Sequence, residues 1–295
     1  GSLTRLYTDK AIDFLENKGA KDVRRRRESL KKRIEGNIPD EISQEEIDAH
    51  FDCLPERYFV HAGEDDILLH LGMAHCLLSA ISRSDAEASL VPIVEWRNDL
   101  ERGFTLVHVV TWDRAGLFYH LAGAFSITGL NILSSRAVSR SDHVTIDVFI
   151  VTGADGGLVI DDSARRKFEE TLDGTLVHGA NILPILEGRQ NKTRGKKRLG
   201  ESDALGASIS PSVTIYQETS IDRTIVEIQA NDHIGLLFVL ARTISKLGFD
   251  ITFARISTER SVAIDVFHLE SADGDQEIDS QRLFELREKL NEVVS

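Results

Sequence analysis

The spacing of apolar residues divides the chain into a helical part and a strand-rich part. Segments such as "AIDFLENKGA" (11–20) and "EEIDAHFDCL" (45–54) place apolar residues three and four positions apart, which predicts amphipathic helices. From residue 91 the pattern changes, because "VPIVEW" (91–96) and "FTLVHVVT" (104–111) are rich in β-branched residues. These two runs predict an antiparallel pair of strands.

The segment after this strand pair predicts a helix, two strands and a second helix. The first helix should run from near Gly116 to Gly129, which suits a left-handed C-cap. "NILSSRAVSR" and "HVTIDVFIVTG" then predict two strands around a polar turn. "DDSARRKFEETL" begins with capping residues and predicts the second helix. "GTLVHG" (174–179) is a candidate closing strand.

This unit is repeated 119 residues later. "DRAGLFYHLAGAFSITGLNIL" (113–133) returns as "DHIGLLFVLARTISKLGFDIT" (232–252). Eleven of the 33 positions aligned between 105–137 and 224–256 are identical. "IDVF" occurs at 146–149 and again at 264–267. A period of this length is too long for a solenoid, so we interpret the pattern as two duplicated domains.

Four regions follow from these patterns. Residues 1–90 form a helical region, 91–186 the first repeated domain and 211–295 the second. Residues 187–210 are rich in Gly, Ser and charge with few apolar side chains, which predicts a linker. "PSVTIY", ahead of the second copy, could fill a sheet edge that the short C-terminal end leaves open.

Charge and cysteine content narrow the class of protein. The 48 acidic and 35 basic residues give a formal net charge of -13, which argues against a general nucleic-acid binder. No apolar run approaches the roughly 20 residues that span a bilayer. The two cysteines, Cys53 and Cys76, have no CxxC spacing, and the ten histidines are scattered. We therefore expect a cytoplasmic protein without a metal site, and a fragment of something longer, since Gly1-Ser2 resembles an expression scar.

Two clusters of basic residues carry alternative interpretations. "KDVRRRRESLKKR" (21–33) is either a solvated helix face or a docking surface for phosphate or an acidic partner. Lys192 to Arg198 fits a solvating feature of the linker better than a binding site.

The repeated strand-to-helix junction holds the candidate chemistry. Asp113 could accept the ammonium of a free amino acid, while backbone N–H groups near Gly116 and Leu117 would face its carboxylate at a helix N-terminus. Asn131 offers an amide donor and acceptor on the following strand. The equivalents in the second copy are Asp232, Gly235, Leu236 and Asp250. The alternative is that the aspartates only cap helices and the glycines only form turns.

No catalytic arrangement competes with this junction. The sequence has no P-loop, no GxSxG and no Cys–His nucleophile pattern, so we predict no catalytic residue. Arg136 with Asp147, and Arg255 with Asp265, should lie nearly opposite across two strands. We interpret both pairs as surface ion pairs that contribute well under about 1 kcal/mol.

The repeated segments resemble the ACT domain, a ligand-sensing module of βαββαβ, ferredoxin-like topology. The tandem is similar to the C-terminal end of the bacterial [protein-PII] uridylyltransferase/uridylyl-removing family, and "EIDAHFDCLPERYF" (46–59) resembles the helical segment after that family's phosphohydrolase domain. The resemblance implies an α+β fold with antiparallel sheets. Ala115 and Ile234 replace the proline of the usual "DRPGL", and His233 replaces the arginine in the second copy, so the preset φ of proline is lost.

The resemblance also implies a function. Enzymes of this family attach UMP to a tyrosine of the signalling protein PII, with magnesium, and remove it again, while the ACT pair senses glutamine. We therefore expect a glutamine-sensing fragment that has no cofactor and no catalytic activity, and that meets PII through a parent enzyme. ACT sheet edges could also pair subunits into a homo-oligomer. Sensing of another free amino acid, and a purely structural assembly module, remain the alternatives.

Overall fold

A computed structural model describes residues 20–82, 88–189, 210–218, 223–259, 262–272 and 278–295. Its helices are α1 (Ala20–Ile34), α2 (Gln44–Cys53), α3 (Glu56–His61), α4 (Glu64–Ser82), α5 (Leu117–Thr128), α6 (Asp162–Leu176), α7 (183–189), α8 (Leu236–Lys246) and α9 (Ser280–Val294). Its strands are β1 (Ile93–Asp99), β2 (Phe104–Trp112), β3 (Asn131–Ser139), β4 (Val144–Thr152), β5 (Ser212–Glu218), β6 (Arg223–Asn231), β7 (Phe249–Glu259) and β8 (Val262–Ser271). None of these helices is long and apolar enough to cross a membrane.

Helices α1 to α4 form the helical region that the apolar spacing predicted. A capping box starts α2, because Ser43 and Glu46 each accept a hydrogen bond from the other's backbone N–H. The apolar faces of these helices pack together around Phe51, Phe59 and Leu71, and this core continues onto one face of the sheet. The segment 11–19 lies outside the described residues.

The basic run in α1 pairs with acidic residues of the neighbouring helices. Its ion pairs are Arg24–Glu56, Arg27–Asp52, Lys31–Asp48 and Arg33–Glu64. Arg26 instead donates to the carbonyl oxygens of Phe59 and Ala62, at 2.7 and 3.4 Å. These contacts join α1 to α2, α3 and the start of α4.

The first repeated unit is a four-stranded antiparallel sheet in the order β1-β2-β4-β3. Gly116 and Gly129 flank helix α5 as its N-cap and C-cap, both left-handed, so the predicted left-handed C-cap at Gly129 is confirmed. Asp161 caps α6 by accepting from the Ser163 N–H. Both helices cover one face of this sheet.

The closing strand predicted at 174–179 is wrong. Residues 174–176 complete α6, because Phe168, Leu172 and Leu176 place one apolar stripe in the core, and residues 177–179 form a turn. Strand β1 pairs with β2 and occupies the edge that a closing strand would take. The order along the chain is therefore ββαββα. Residues 187–189 belong to α7, and the predicted linker from 190 to 209 lies outside the described residues.

The second unit repeats this arrangement as β5-β6-β8-β7, with α8 and α9 on the same face. Strand β5 contains the "SVTIY" run and pairs with β6 along Ser212–Glu218, so the prediction that this run fills the sheet edge is confirmed.

The two units join into one eight-stranded sheet through β3 and β7, which are antiparallel. Ser135 pairs with Ala254, its own counterpart 119 residues later. On the helix side the Tyr119 ring contacts that of Phe238, again its own counterpart, at a centroid distance of 5.7 Å. Equivalent residues that meet each other are the sign of an isologous contact, so an approximate two-fold axis relates the units.

Candidate functional site

Each predicted junction turns on a left-handed glycine. Gly116 has φ 76° and ψ 13°, and Gly235 has φ 84° and ψ 2°. A Cβ on Gly116 would also lie 2.0 Å from Cε1 of Tyr119. Both the backbone conformation and the lack of space therefore require glycine at the start of α5.

The junction aspartates do not cap helices. Neither α5 nor α8 has a side-chain cap, and both Asp113 and Asp232 are exposed. Asp113 is held by its backbone, whose N–H donates to the His143 carbonyl at 2.7 Å. Asp232 Oδ2 accepts from the Thr258 hydroxyl at 3.2 Å. The interpretation of these aspartates as caps is wrong, so both carboxylates face solvent.

The leucines of the junctions serve the core and the turn. Leu117 and Leu236 are buried side chains of the sheet–helix core. The Leu117 N–H donates to the Arg114 carbonyl, and the Leu236 N–H to that of His233, each at 3.1 Å. These two N–H groups already donate within the turn, whereas the prediction had them donate to a ligand carboxylate.

Asp113 and Asn131 lie at opposite ends of the first unit. Asp113 follows the end of β2 where Trp112 pairs with Val144, whereas Asn131 pairs with Thr152 at the far end of β4. Eight residue steps along β4 correspond to about 27 Å. The structure therefore does not bring these two predicted residues together within one unit.

The antiparallel joint turns the Asn131 end of β3 towards the second unit instead. Because β3 and β7 are antiparallel and pair from Ser134–Arg255 to Arg136–Phe253, the Asn131 end of β3 points towards the Thr258 end of β7. Thr258 is the residue that donates to Asp232. Asn131 is exposed and donates from Nδ2 to the Gly153 carbonyl at 3.1 Å. The approximate two-fold axis places the Asp250 end of β7 beside the Asp113 end of the first unit in the same way.

The predicted surface ion pairs are wrong. Arg136 pairs with Val148 and Asp147 with Ala137, so the two charged residues are one step out of register and point to opposite faces. In the second unit Asp265 pairs with Ile256, next to Arg255, with the same result. The repeated "IDVF" could have indicated that these aspartates are buried, because in it a carboxylate lies between apolar residues of a strand.

Both of these strand carboxylates are buried beneath the junctions. Asp147 and Asp265 are each 2% exposed, and burial raises the pKa of each to about 7. The nearby charge of Asp113 raises the pKa of Asp147 further, and Asp232 does the same for Asp265, whereas a hydrogen bond from the Thr145 hydroxyl lowers that of Asp147. Each junction therefore combines an exposed and a buried carboxylate, a pair suited to a cationic group.

Eight known proteins with similar sequences share one name. An enzyme of Rhodospirillum rubrum named bifunctional uridylyltransferase/uridylyl-removing enzyme is 27% identical over 230 residues, which cover 78% of this chain and 23% of the relative. The enzyme of the same name from Gluconobacter oxydans is 25% identical over 91% of the chain and 26% of the relative. That from Caulobacter vibrioides is 32% identical over 62% of the chain and 19% of the relative. No protein-family model matches the chain.

The chain is a partial match to the C-terminal part of the bifunctional uridylyltransferase/uridylyl-removing enzymes. It spans about a quarter or less of the length of these curated relatives. A helical region followed by an antiparallel eight-stranded sheet is consistent with two ACT-like domains. Among the described residues, no group of three or more His, Cys, Asp or Glu side chains could hold a metal ion.

Proposed function

We propose that this chain is the amino-acid-sensing regulatory part of a bifunctional uridylyltransferase/uridylyl-removing enzyme, and that free glutamine is its ligand. The observation that supports this proposal is the antiparallel β3–β7 joint, in which Ser134 to Arg136 pair with Phe253 to Arg255, together with the hydrogen bond from Thr258 of β7 to the junction residue Asp232. The partial match to the C-terminal part of this enzyme family supports the same assignment.

At the first of the two sites, Asp232 would bind the α-ammonium of glutamine. The buried carboxylate of Asp265 lies close enough to feel the charge of Asp232, so a cation there would favour ionisation of both. Asn131, from the other unit, would read the side-chain amide, because its own amide offers a donor and an acceptor. The turn around Gly235 would approach the α-carboxylate at the start of α8.

The second site differs in one group. Asp113 and Asp147 take the places of Asp232 and Asp265, but Asp250 stands where Asn131 would read the amide. An ionised Asp250 accepts from the amide N–H₂ and cannot donate to the amide oxygen. We therefore expect this site to bind glutamine more weakly or to prefer another amino acid.

Glutamine at such a site would couple the two units. Its ammonium and its amide would be held by different halves of the sheet, so the ligand favours the joined arrangement over any other. Helices α1 to α4 pack on the sheet of the first unit and would carry this preference towards the domains of the parent enzyme. In that enzyme, PII would be the substrate and magnesium the cofactor of the transferase domain.

Calorimetry tests the proposal directly. Glutamine should bind the wild-type chain, and Asn131→Ala should weaken binding by about 1–3 kcal/mol because it leaves the amide of the ligand unpaired. Asn291→Ala, in α9, is the matched control and should bind as the wild type does. Titrations with glutamate and asparagine test the selectivity. If the wild-type chain binds no glutamine while another free amino acid binds, the ligand is misassigned; if none binds, the assembly-module alternative is favoured.

A further inference from the structure

A cavity of about 350 Å³ lies on the face of the sheet opposite to α5 and α8. It is a partly open cavity between α3, α4 and the sheet at the β3–β7 joint, and none of the eight predicted site residues lines it. Six of its lining residues matter below: Arg57, His61, His108, Arg136, Arg223 and Phe253. The helical region and both ACT-like units therefore meet around one interior space, which the mechanism proposed above does not use.

Three N–H donor groups on the cavity wall have no acceptor among the described residues. Arg57 Nε and His108 Nε2 are buried without a hydrogen-bond partner. The Arg136 guanidinium makes neither a hydrogen bond nor an ion pair within the described part of the chain, and burial lowers its pKa. Buried nitrogens without a partner, such as those of Arg57 and His108, are costly, and with the unpaired Arg136 guanidinium on the same wall they point to an acceptor in the cavity.

A chain of hydrogen bonds orients one of these donors. The Tyr58 hydroxyl contacts His70 Nδ1 at 2.8 Å, and His70 Nε2 contacts His108 Nδ1 at 2.8 Å. When Tyr58 donates, the His70 Nε2–H donates to His108 Nδ1, and His108 then carries its proton on Nε2. An acceptor in the cavity would select this arrangement.

The charges around the cavity leave one cation uncompensated. Arg57 and Arg223 share the carboxylate of Glu270, at 2.5 and 3.5 Å. Arg136 faces Asp66 at longer range. Among the lining side chains and their ion-pair partner Glu270, three guanidinium groups stand against two carboxylates, an excess of one positive charge. Burial lowers the pKa of His61 to about 3 and that of His108 to about 4, so these imidazoles add donors without adding charge.

We propose that this cavity binds a small organic monocarboxylate, with its carboxylate between Arg136 and His108 and its apolar part against Val148 and Phe253. Arg136 and His108 flank Val148 on the same face of the sheet, since each pairs with it from a neighbouring strand. One carboxylate supplies the acceptors that both donors lack and neutralises the excess charge. Because the ligand would touch the helices and both units, it would hold the helical region against the sensor.

Hexanoate is the probe for this site, with hexanamide and inorganic phosphate as its comparisons. Hexanoate should raise the melting temperature of the 295-residue chain and bind measurably by calorimetry, whereas hexanamide should bind at least tenfold more weakly. Arg136→Gln should weaken hexanoate binding at least tenfold. Arg255→Gln removes the same charge at the symmetry-related position, which does not line the cavity, and should bind hexanoate as the wild type does.

The unliganded variants supply a second readout. Since Arg136 is a half-buried cation without a hydrogen-bond acceptor among the described residues, Arg136→Gln should raise the melting temperature of the empty protein while it weakens binding. A purely structural Arg136 would lower that temperature. Equal binding of hexanoate and hexanamide, tighter binding of phosphate than of hexanoate, or unchanged hexanoate affinity in Arg136→Gln would each overturn the proposal. So would a lack of hexanoate binding by a folded wild-type chain.

Discussion

The two ACT-like units carry the same repeat, but within the described residues the face opposite α5 and α8 is covered more fully in the first unit than in the second. Val110 and Ile146 are 0% and 1% exposed under the helical region. Their counterparts in the second unit are Gln229, which is exposed, and Ile264, which is 40% exposed. On the face beneath α5 and α8 the units agree, since Leu121 and Leu240 are both completely buried.

This contrast shows what packing preserves in a duplicated domain. Positions that face a helix in both units keep their apolar character, whereas positions covered in only one unit diverge where they are free to do so. The helical region and the first unit therefore form one packed body. The second unit is attached through the β3–β7 joint, the α5–α8 contact and the Arg57–Glu270 ion pair.

The largest expected effect tests the difference between the covered and open faces. Val110→Asp would bury a carboxylate without a partner and should lower the free energy of unfolding by more than about 4 kcal/mol. Gln229→Asp, at the equivalent position, should change it by less than about 0.5 kcal/mol. Urea unfolding of the two variants measures both values. Comparable losses would mean that the second unit is covered as well.

The pH dependence tests a property that the units share. Asp147 has a pKa of about 7 in the folded protein, above its ordinary value of 3.8, so the folded state holds a proton that the unfolded chain releases. Its contribution to stability is present below pH 4 and is lost as the pH rises to 7, by up to about 4 kcal/mol. Asp147→Asn should therefore become more stable relative to wild type as the pH rises through this window.

The comparison with wild type at each pH matters here, because burial lowers the pKa of His50 and His61 to about 3. The stability that these neutral, buried histidines contribute to the protein is lost as the pH falls below about 6.5, the opposite pH dependence to that of Asp147. Asp265→Asn should reproduce the result for Asp147, since burial acts equally on both. A flat difference between variant and wild type from pH 4 to 8 would show that these carboxylates are not buried as described.

A smaller effect tests the contact between the units. A Cβ on Gly123 would lie 2.1 Å from Cδ1 of Ile182 and 2.9 Å from Cδ2 of Phe238. Gly123→Ala should therefore cost about 1–3 kcal/mol of stability by displacing Ile182 beside α5 and Phe238 of α8. Gly174→Ala, in α6, meets only the Ala180 Cβ at 3.9 Å and should stabilise the protein by up to about 1 kcal/mol. Thermal unfolding of the two alanine variants distinguishes them, and equal changes would contradict close packing at this contact.

The smallest effects separate two arginines of α1. Arg26→Ala removes the donor to the Phe59 and Ala62 carbonyls and should cost about 1–2 kcal/mol. Arg24→Ala removes an exposed ion pair to Glu56 and should change stability by less than about 0.5 kcal/mol. Both values come from denaturant unfolding at moderate salt. A larger loss of stability for Arg24→Ala than for Arg26→Ala would contradict the weak contribution assigned to the exposed Arg24–Glu56 ion pair.

Local patterns predicted most of the elements, and non-local pairing decided the rest. The bounds of α5 follow from its two glycines, and Asp161 marks the start of α6. "GTLVHG" does not form a strand, because β1, some 80 residues earlier in the chain, already occupies the sheet edge beside β2. The face of Asp147 depends on a register shift of one residue, which the alternation of a buried strand does not reveal.

The candidate site depends on non-local pairing even more strongly. The eight residues of the two junctions could be chosen from the repeat, but their partners could not. The sequence suggested Asp113 with Asn131, because they are neighbours along the chain. The β3–β7 joint instead brings Asn131 towards Asp232, and only the order of strands across both units shows this.

A double-mutant cycle on glutamine binding tests this central claim most directly. Affinities of wild type, Asn131→Ala, Asp232→Ala and the double variant should give a coupling energy of at least about 1 kcal/mol, because both side chains hold one ligand. The cycle of Asn131→Ala with Asp113→Ala should be additive within about 0.5 kcal/mol. Strong coupling of Asn131 to Asp113 with none to Asp232, or unchanged glutamine affinity in all of these variants, would contradict a site shared between the two units.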